Sequence, residues 1–595
     1  MEPQFKWKET FADAEVVRAL ARALELPLPV ARVLVARGVT DPAAAQRFLN
    51  PNLRDHLGAP FDFPGIRIAA ERLWQAIRDG RDIVVYGDFD ADGVAAAALL
   101  VTALQRLGGA AEVFLPLRES EGYGLTRAAL DRCLRERGGP PGVLVTVDCG
   151  VSSPHEVAYL TSLGVEVIIT DHHELNGPLP EAAAIVNPKL GASPGAEHLC
   201  GAGVAFKLAH ALADLGKANG WYQGAPLGGE LLVPAGLATV TDIVPLTGEN
   251  RLLVWSALKY WRHYAGPGLQ ALLARAARQT MPPDAYTFGF VLGPRINAAG
   301  RMESAMTAFE LLTTHDRDRA AELAAHLEGC NARRRGVEER IVLAARKQCG
   351  LDAEDAVFDA ASVVVGGEGP HVGEEEGWHP GVIGIVAARL CDDTGRPAAV
   401  VSFDQDGAGR GSVRAGEGYH ALEALVAADE ALTGYGGHAS AAGFHLKPGA
   451  FDSFKQLFNA ACARQAAACE DGLPRSLTVD GWLEPETLTL ELHREIQRLA
   501  PFGNGNPAPR WGVRGVTAKE IRPLGASGDH LLCMFERDGC PLPRGVWFRN
   551  GDVLEALRST SAPLDVVFEL RENSYGGESS VELQIVDVGT GEMGS

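Results

Sequence analysis

Between residues 81 and 173 the chain repeats one pattern, a short apolar run that breaks off into acid. DIVVY leads into GDFDADG, VLVTV into Asp148, and VEVIIT into Asp171, with His172 and His173 directly behind. Helical segments such as GVAAAALLVTALQRLG and SPHEVAYLTSLG lie between these runs. Apolar strands alternating with helices predict a doubly wound parallel sheet, and hence an α/β protein. Ligands bind such sheets outside the carboxyl ends of the strands, which is where the acids fall.

Asp88, Asp90 and Asp92 occupy alternate residues, and a further acid, Asp242, closes the helical run GLATVTD. One aspartate at a strand end is ordinarily a cap or a turn residue. Four acidic groups at one topological level are harder to explain that way. Carboxylates crowded in a low-dielectric crevice repel one another, and divalent cations remove the conflict. Oxygen donors favour Mg²⁺ or Mn²⁺, and an imidazole among them tilts the choice toward Mn²⁺. The number of donors suits two ions bridged by a carboxylate, the clamp used for in-line displacement at phosphorus.

A chain of 595 residues is expected to form about three or four domains. The net charge of −21 taken alone argues against nucleic acid, but local clusters, not whole-chain charge, decide binding. Ten cysteines without a CxxC pair argue for reduced thiols in a cytoplasmic protein. The start, MEPQFKWKETFADAEVV, shows no secretory leader, and the longest apolar run, Val94–Leu104, falls short of the roughly 20 residues a bilayer requires. Residues 1–80 read as a helical segment packing on the core, 81–303 as the first α/β domain and 304–350 as a connecting long helix. Gly329 and Gly336 leave open whether that helix is unbroken. Residues 351–466 read as a second α/β domain and 470–590 as a small β-barrel of five or six strands.

The motifs DFDADG, VDCG, TDHHE and VTDIVPLTGENR resemble those of the DHH phosphoesterase superfamily. RESEGYGL, PRINAAGRM, EGWHPGVIGIVAARL, GSVR, GGHASAAGF and PFGNGNPAP narrow the resemblance to its RecJ branch of single-strand-specific exonucleases, over nearly the whole chain. The fold implied is a parallel-sheet DHH domain and a DHH-associated domain joined by a long helix, followed by an oligonucleotide-binding (OB) barrel. The activity implied is metal-dependent 5′→3′ hydrolysis of single-stranded DNA to 5′-mononucleotides, in DNA repair and recombination.

The resemblance also assigns roles. Asp90, Asp92, Asp148, His172 and Asp242 become ligands of two Mn²⁺ or Mg²⁺ ions, with Asp148 the bridge and Asp88 a further ligand. Asp171 orients its neighbours and His173 faces the scissile phosphate. Ser412 and Arg414 hold a 5′-phosphate with Arg118 opposite, although GRGSVR also reads as a plain hairpin with solvated charges. Arg295, Asn297 and Arg301 suit a phosphate backbone, and His438 suits a substrate contact. Tyr123 reads equally as a base-stacking residue and as a buried tyrosine with its hydroxyl bonded. Phe502, Trp511, Trp547, Phe548 and Arg549 are the barrel's stacking candidates, most of them expected in its core. The implied partners are single-stranded DNA, a single-strand-binding protein and a helicase, with no membrane and a monomeric state. The rivals are a shorter DHH phosphoesterase without a barrel and a non-catalytic DNA-binding scaffold.

Overall fold

The computed structural model describes residues 3–175, 177–225, 227–276, 283–351, 360–370, 377–468, 476–525, 528–574 and 579–590. Glu376, which opens one motif, and residue 470, the expected start of the barrel, lie outside that set. The chain forms two compact units, one of residues 58–244 and 248–473, the other of residues 1–57, 245–247 and 474–595. No helix among the described residues is long and apolar enough to cross a membrane.

The larger unit begins with a parallel five-stranded sheet. Its strands are β1 (Ile83–Gly87), β2 (Ala111–Phe114), β3 (Val143–Val147), β4 (Glu166–Thr170) and β5 (Ala184–Val186), in the order β2-β1-β3-β4-β5. Strands β1 and β3 are buried throughout, as their unbroken apolar runs require. The order reverses between β1 and β3, so the crevice of this doubly wound sheet opens at their carboxyl ends. Helix α1 (Ala91–Arg106) leaves β1 through the acidic loop. Its alanines and leucines are buried on every side, so its sequence is apolar all round rather than striped. Helices α2 (Gly201–Ala218) and α3 (Gly229–Thr241) pack against it.

A buried ion pair fixes this packing. Lys207 Nζ on α2 meets Glu249 Oε1 at 2.9 Å and the Gly58 carbonyl at 2.7 Å, and Gly58 N donates to the same carboxylate oxygen. Breaking a buried pair on one side leaves an uncompensated charge. Lys207→Met is therefore expected to cost about 3–5 kcal/mol, read by chemical denaturation, with Lys207→Met/Glu249→Leu recovering most of it. Equal losses in the single and double variants would assign the cost to packing rather than charge.

Beyond the sheet, α4 (Gly293–Met302) is followed by Met306–Thr313 and then by α5 (Arg317–Gln348). The expected connecting helix thus breaks once, not at its glycines but at Asp316, whose side chain accepts from Asp318 N and Arg319 N as an N-cap. Gly329 and Gly336 lie inside an unbroken 32-residue helix. A second, mixed sheet contains β6 (Val363–Glu368), β7 (Ala398–Phe403), β8 (Gly409–Arg414), β9 (Leu432–Gly437) and β10 (Ala441–Leu446), in the order β9-β10-β8-β7-β6.

The smaller unit holds a closed barrel of β11 (Trp511–Leu524), β12 (His530–Arg537), β13 (Gly545–Trp547), β14 (Leu564–Asn573) and β15 (Ser580–Gly589). Closure removes the exposed edges an open sheet would present. Trp511 and Trp547 are buried in its core beside Phe568, while Phe548 stays about half exposed, 49%, with His530 edge-on at 5.3 Å. The N-terminal segment divides at Leu57. Val30, Leu34 and Leu49 share the barrel's core, whereas helix Ile66–Arg78 packs on α2, with Trp74 Nε1 donating to the Leu212 carbonyl.

Candidate metal centre

The acids converge on the switch point between β1 and β3. Asp90 caps α1, its Oδ1 accepting from Asp92 N and Gly93 N at 3.0 Å each. Gly93 is needed for this tight exit from β1, since a Cβ there would lie 2.6 Å from Asp88 N. Asp92 then reaches the N-terminus of α2, where Gly201 N and Ala202 N donate to its two oxygens at 2.6 and 2.8 Å. Orphan amides and the helix dipole favour an anion at that position. At residue 201 a side chain is excluded, because a Cβ would meet Asp148 Cβ at 2.5 Å. The sequence analysis assigns this helix no part in the site, and its amide grip on Asp92 emerges only in the structure. The small residues opening GAGVAFK were the available signal.

His172 Nε2 lies 3.1 Å from Asp148 Oδ1, 3.6 Å from Asp242 Oδ2 and 3.8 Å from Asp92 Oδ2. Asp88, Asp90 and Asp148 form one group with ligand atoms within 4.8 Å of one another, and Asp92, His172 and Asp242 form another. Asp148 also falls in a third group with His172 and His173, so it faces both sides. Asp148 itself sits at φ 62°, a left-handed conformation that aspartate tolerates better than most residues.

Asp88 Oδ2, Asp148 Oδ1, His172 Nε2 and Asp242 Oδ2 are buried without a hydrogen-bond partner. Burial, then the neighbouring Asp90 charge, pushes the Asp88 carboxyl up to about 8 and Asp92 to about 6. Burial, then the charge of Asp92, drives Asp148 and Asp242 well above the usual carboxylate range. Burial also lowers His172 to about 3, which keeps its imidazole neutral. Orphaned oxygens aimed at a neutral ring nitrogen fit a divalent cation, and the donor set of carboxylates with one imidazole suits Mn²⁺ or Mg²⁺.

Asp171 stands behind the cluster. Its Oδ1 accepts from His172 N and His173 N and pairs with His173 Nδ1 at 2.7 Å, while Oδ2 accepts from Val151 N. Burial works against the charged form of both members. The mutual hydrogen bond outweighs it, lowering Asp171 and raising His173. His173 Nε2 meets the Tyr123 hydroxyl at 2.7 Å. The Tyr123 ring is 56% exposed, so it is no core residue, although its hydroxyl is engaged.

A second cluster is cationic. The Arg118 guanidinium lies 4.1 Å over the Phe89 ring, in the field of Asp88 and Asp90. Burial, then the nearby Arg118 charge, lowers Arg301 to about 9, and Arg301 Nη1 donates to the Gly381 carbonyl. Arg414 is lowered chiefly by burial and also feels Arg118. Its Nη1 donates to Ser412 Oγ at 2.9 Å and to the Val413 carbonyl, so Ser412 and Arg414 share one face of β8. His438 lies within electrostatic reach of Glu174, next to His173. Two residues outside the sequence reading tie the halves of this unit together. His379 Nε2 meets Glu119 Oε1 at 3.0 Å, and Arg410 reaches the Arg118 and Glu119 carbonyls at 3.5 Å.

Two expected phosphate contacts are occupied otherwise. Arg295 forks onto Glu328 of α5, Nε to Oε2 at 2.5 Å and Nη2 to Oε1 at 3.3 Å, and gives Nη1 to the Val291 carbonyl. It therefore fastens helix to helix. Asn297 Oδ1 accepts from Ala91 N at 2.8 Å and so braces the acidic loop.

A doubly wound sheet with acids and a histidine pair at its switch point defines the class of the DHH phosphoesterases. Residues 82–225 match the DHH family, N-terminal domain, 360–464 the DHHA1 domain, and 479–587 the RecJ OB domain. The single-stranded-DNA-specific exonuclease RecJ of Bacillus subtilis is 34% identical over 99% of this chain and 71% of its own length, and that of Escherichia coli is 33% identical over 95% and 96%. The crystal structure of RecJ from Thermus thermophilus in complex with Mn²⁺ superposes with a TM-score of 0.81 at 31% identity, over 99% of this chain and 80% of that one. A crystal structure of the same protein holds Mg²⁺. The chain belongs to the RecJ family.

Mn²⁺ is expected to raise the melting temperature by several degrees at saturation, because a ligand bound only to the folded state stabilises it by mass action. Chelation should reverse the shift. An unchanged melting curve, with no heat of uptake in calorimetry, would show that the cluster holds no cation.

Proposed function

We propose that this chain is a metal-dependent exonuclease that digests single-stranded DNA 5′→3′ and releases 5′-mononucleotides, in DNA repair and recombination. One juxtaposition carries the reading: the cage of orphaned carboxylate and imidazole atoms and a cluster of half-buried guanidinium groups meet at Arg118, which lies over Phe89 in the field of Asp88 and Asp90. The cage suits a reacting phosphodiester, and the cationic pocket suits the terminal phosphate one nucleotide away.

On this reading Asp88, Asp90 and Asp148 would hold one ion and Asp92, His172 and Asp242 a second, with Asp148 placed to serve both. Bound Mn²⁺ or Mg²⁺ supplies positive charge that polarises a phosphate oxygen and makes a water more acidic. The chain does the rest. Asp171 favours the charged form of His173 and fixes its ring, so that Nε2 can pass from the Tyr123 hydroxyl to a non-bridging phosphate oxygen. Arg414, Ser412, Arg118 and Arg301 hold the 5′-phosphate, the Arg forks matching its oxygens. Water oxygen bonds to phosphorus as the bond to the 3′-oxygen breaks, and the departing oxygen takes up a proton. His438 contacts the substrate beside Glu174.

The proposed division of labour gives residues 81–303 to catalysis, 304–350 to connection, 351–466 to the strand end and 470–590 to the following nucleotides. Phe548 is the half-exposed ring on the barrel, with the His530 ring edge-on against it. A cytoplasmic monomer working with a single-strand-binding protein and a helicase completes the proposal.

The test is digestion of 5′-labelled single strands with Mn²⁺. Label should appear at once as mononucleotide, while duplex resists. Binding without turnover would support the scaffold reading, and release from the 3′ end would overturn the direction.

A further inference from the structure

The π-helical segment Thr287–Leu292 and the residue that precedes it carry two exposed rings, Phe290 at 69% and Tyr286 at 54%. Their centroids lie 4.9 Å apart at an interplanar angle of 24°, so the rings stack on one another and leave outer faces in solvent. Scattered exposed apolar residues need no explanation, but a stacked, solvent-facing aromatic pair is a platform for a further planar group. π-helical turns also concentrate at functional sites.

The segment's place in the fold says which planar group. It runs without a break into α4. Gly289 and Gly293 let this rod press on the last turn of α3: a Cβ at 289 would lie 3.1 Å from Val240 Cγ1, and one at 293 would lie 2.3 Å from Thr241 Cγ2. Asp242 of the metal centre follows immediately. Further along the rod, Asn297 holds the acidic loop through Ala91 N. At a helical rise of 1.5 Å per residue, Phe290 and Tyr286 stand about 10–16 Å along the rod from Asn297. Asn297 braces the loop that bears the acids, so the ring pair stands on the same rod that supports the metal centre.

We infer that Tyr286 and Phe290 form a stacking step for an unpaired nucleobase of the strand being digested, a few nucleotides on the 3′ side of the reacting phosphate. The step rests on the single-strand nuclease reading. Stacking is indifferent to base identity because every base presents a π-face, which suits an enzyme that must advance along any sequence. A base paired in a duplex has its faces covered, so the step would favour single strands.

The test uses the full chain without divalent metal, with binding read by fluorescence anisotropy. Phe290→Ala/Tyr286→Ala is expected to weaken a 5′-phosphorylated 12-nucleotide strand roughly tenfold, with the loss vanishing for a dinucleotide. 2-Aminopurine placed at successive positions should be quenched most at one position a few nucleotides from the 5′ end, and the double variant should abolish that maximum. Phe290→Trp should keep the affinity and Phe290→Leu should lose it. Unchanged affinity, an equal loss on dinucleotides, or wild-type behaviour of Phe290→Leu would overturn the step. So would a change in oligomeric state by light scattering with DNA affinity intact, which would mark the rings as a protein interface. A wild-type chain that binds no single strand would remove the underlying reading and the step with it.

Discussion

Asp148→Asn should release nucleotides at least about 10³-fold more slowly than the native chain, while single strands still bind within about twofold. Among the described residues Asp148 is the acid that falls in a ligand group with Asp88 and Asp90 and also in one with His172, its Oδ1 3.1 Å from His172 Nε2. Asparagine keeps the volume and, like aspartate, accepts the left-handed φ of 62°. Asp148→Ala should match the catalytic loss but add backbone strain. The metal-free variant should melt no lower than the metal-free native chain, because the carboxylate it removes is opposed by burial and by Asp92. Mn²⁺ should then shift its melting far less. Single-turnover rates and calorimetric uptake are the readouts. Turnover near the native rate would take Asp148 out of the ligand set.

The second large effect concerns the strand end. Arg414→Ala is expected to raise KM for 5′-phosphorylated strands about 10–100-fold, as for loss of a charge-assisted fork. Strands ending in a 5′-hydroxyl should change little. The guanidinium is already oriented by Ser412 Oγ and the Val413 carbonyl, so its remaining donors are pre-set for an anion. Arg414→Lys keeps the charge but not the planar fork and should recover only part of the loss. Equal losses on both kinds of end would make Arg414 a structural residue of β8 and vacate the phosphate pocket.

Where periodicity and end signals are local, the sequence was readable. Apolar runs of Val and Ile became β1, β3 and β4, and the acids at their ends are those of the site. Long-range pairings were not readable. Arg295 looked like a phosphate contact because nothing in PRINAAGR shows that Glu328, on another helix, takes its guanidinium. The break before α5 was visible as an Asp316 cap yet was sought at glycines, whose helix cost tertiary packing overrides. Tyr123 was undecided between core and surface, since exposure belongs to the whole fold.

The sequence by itself determined the kinds of strand and helix, the acid inventory and the family. Hydrophobic period and short-range hydrogen bonding act over a few residues and are written along the chain. Tertiary structure alone decided the strand order β2-β1-β3-β4-β5, the grip of α2 on Asp92, and the pairing of Arg295 with Glu328. Those outcomes depend on burial and on charges brought together from distant positions. Burial and long-range electrostatics exist only once the chain has closed on itself.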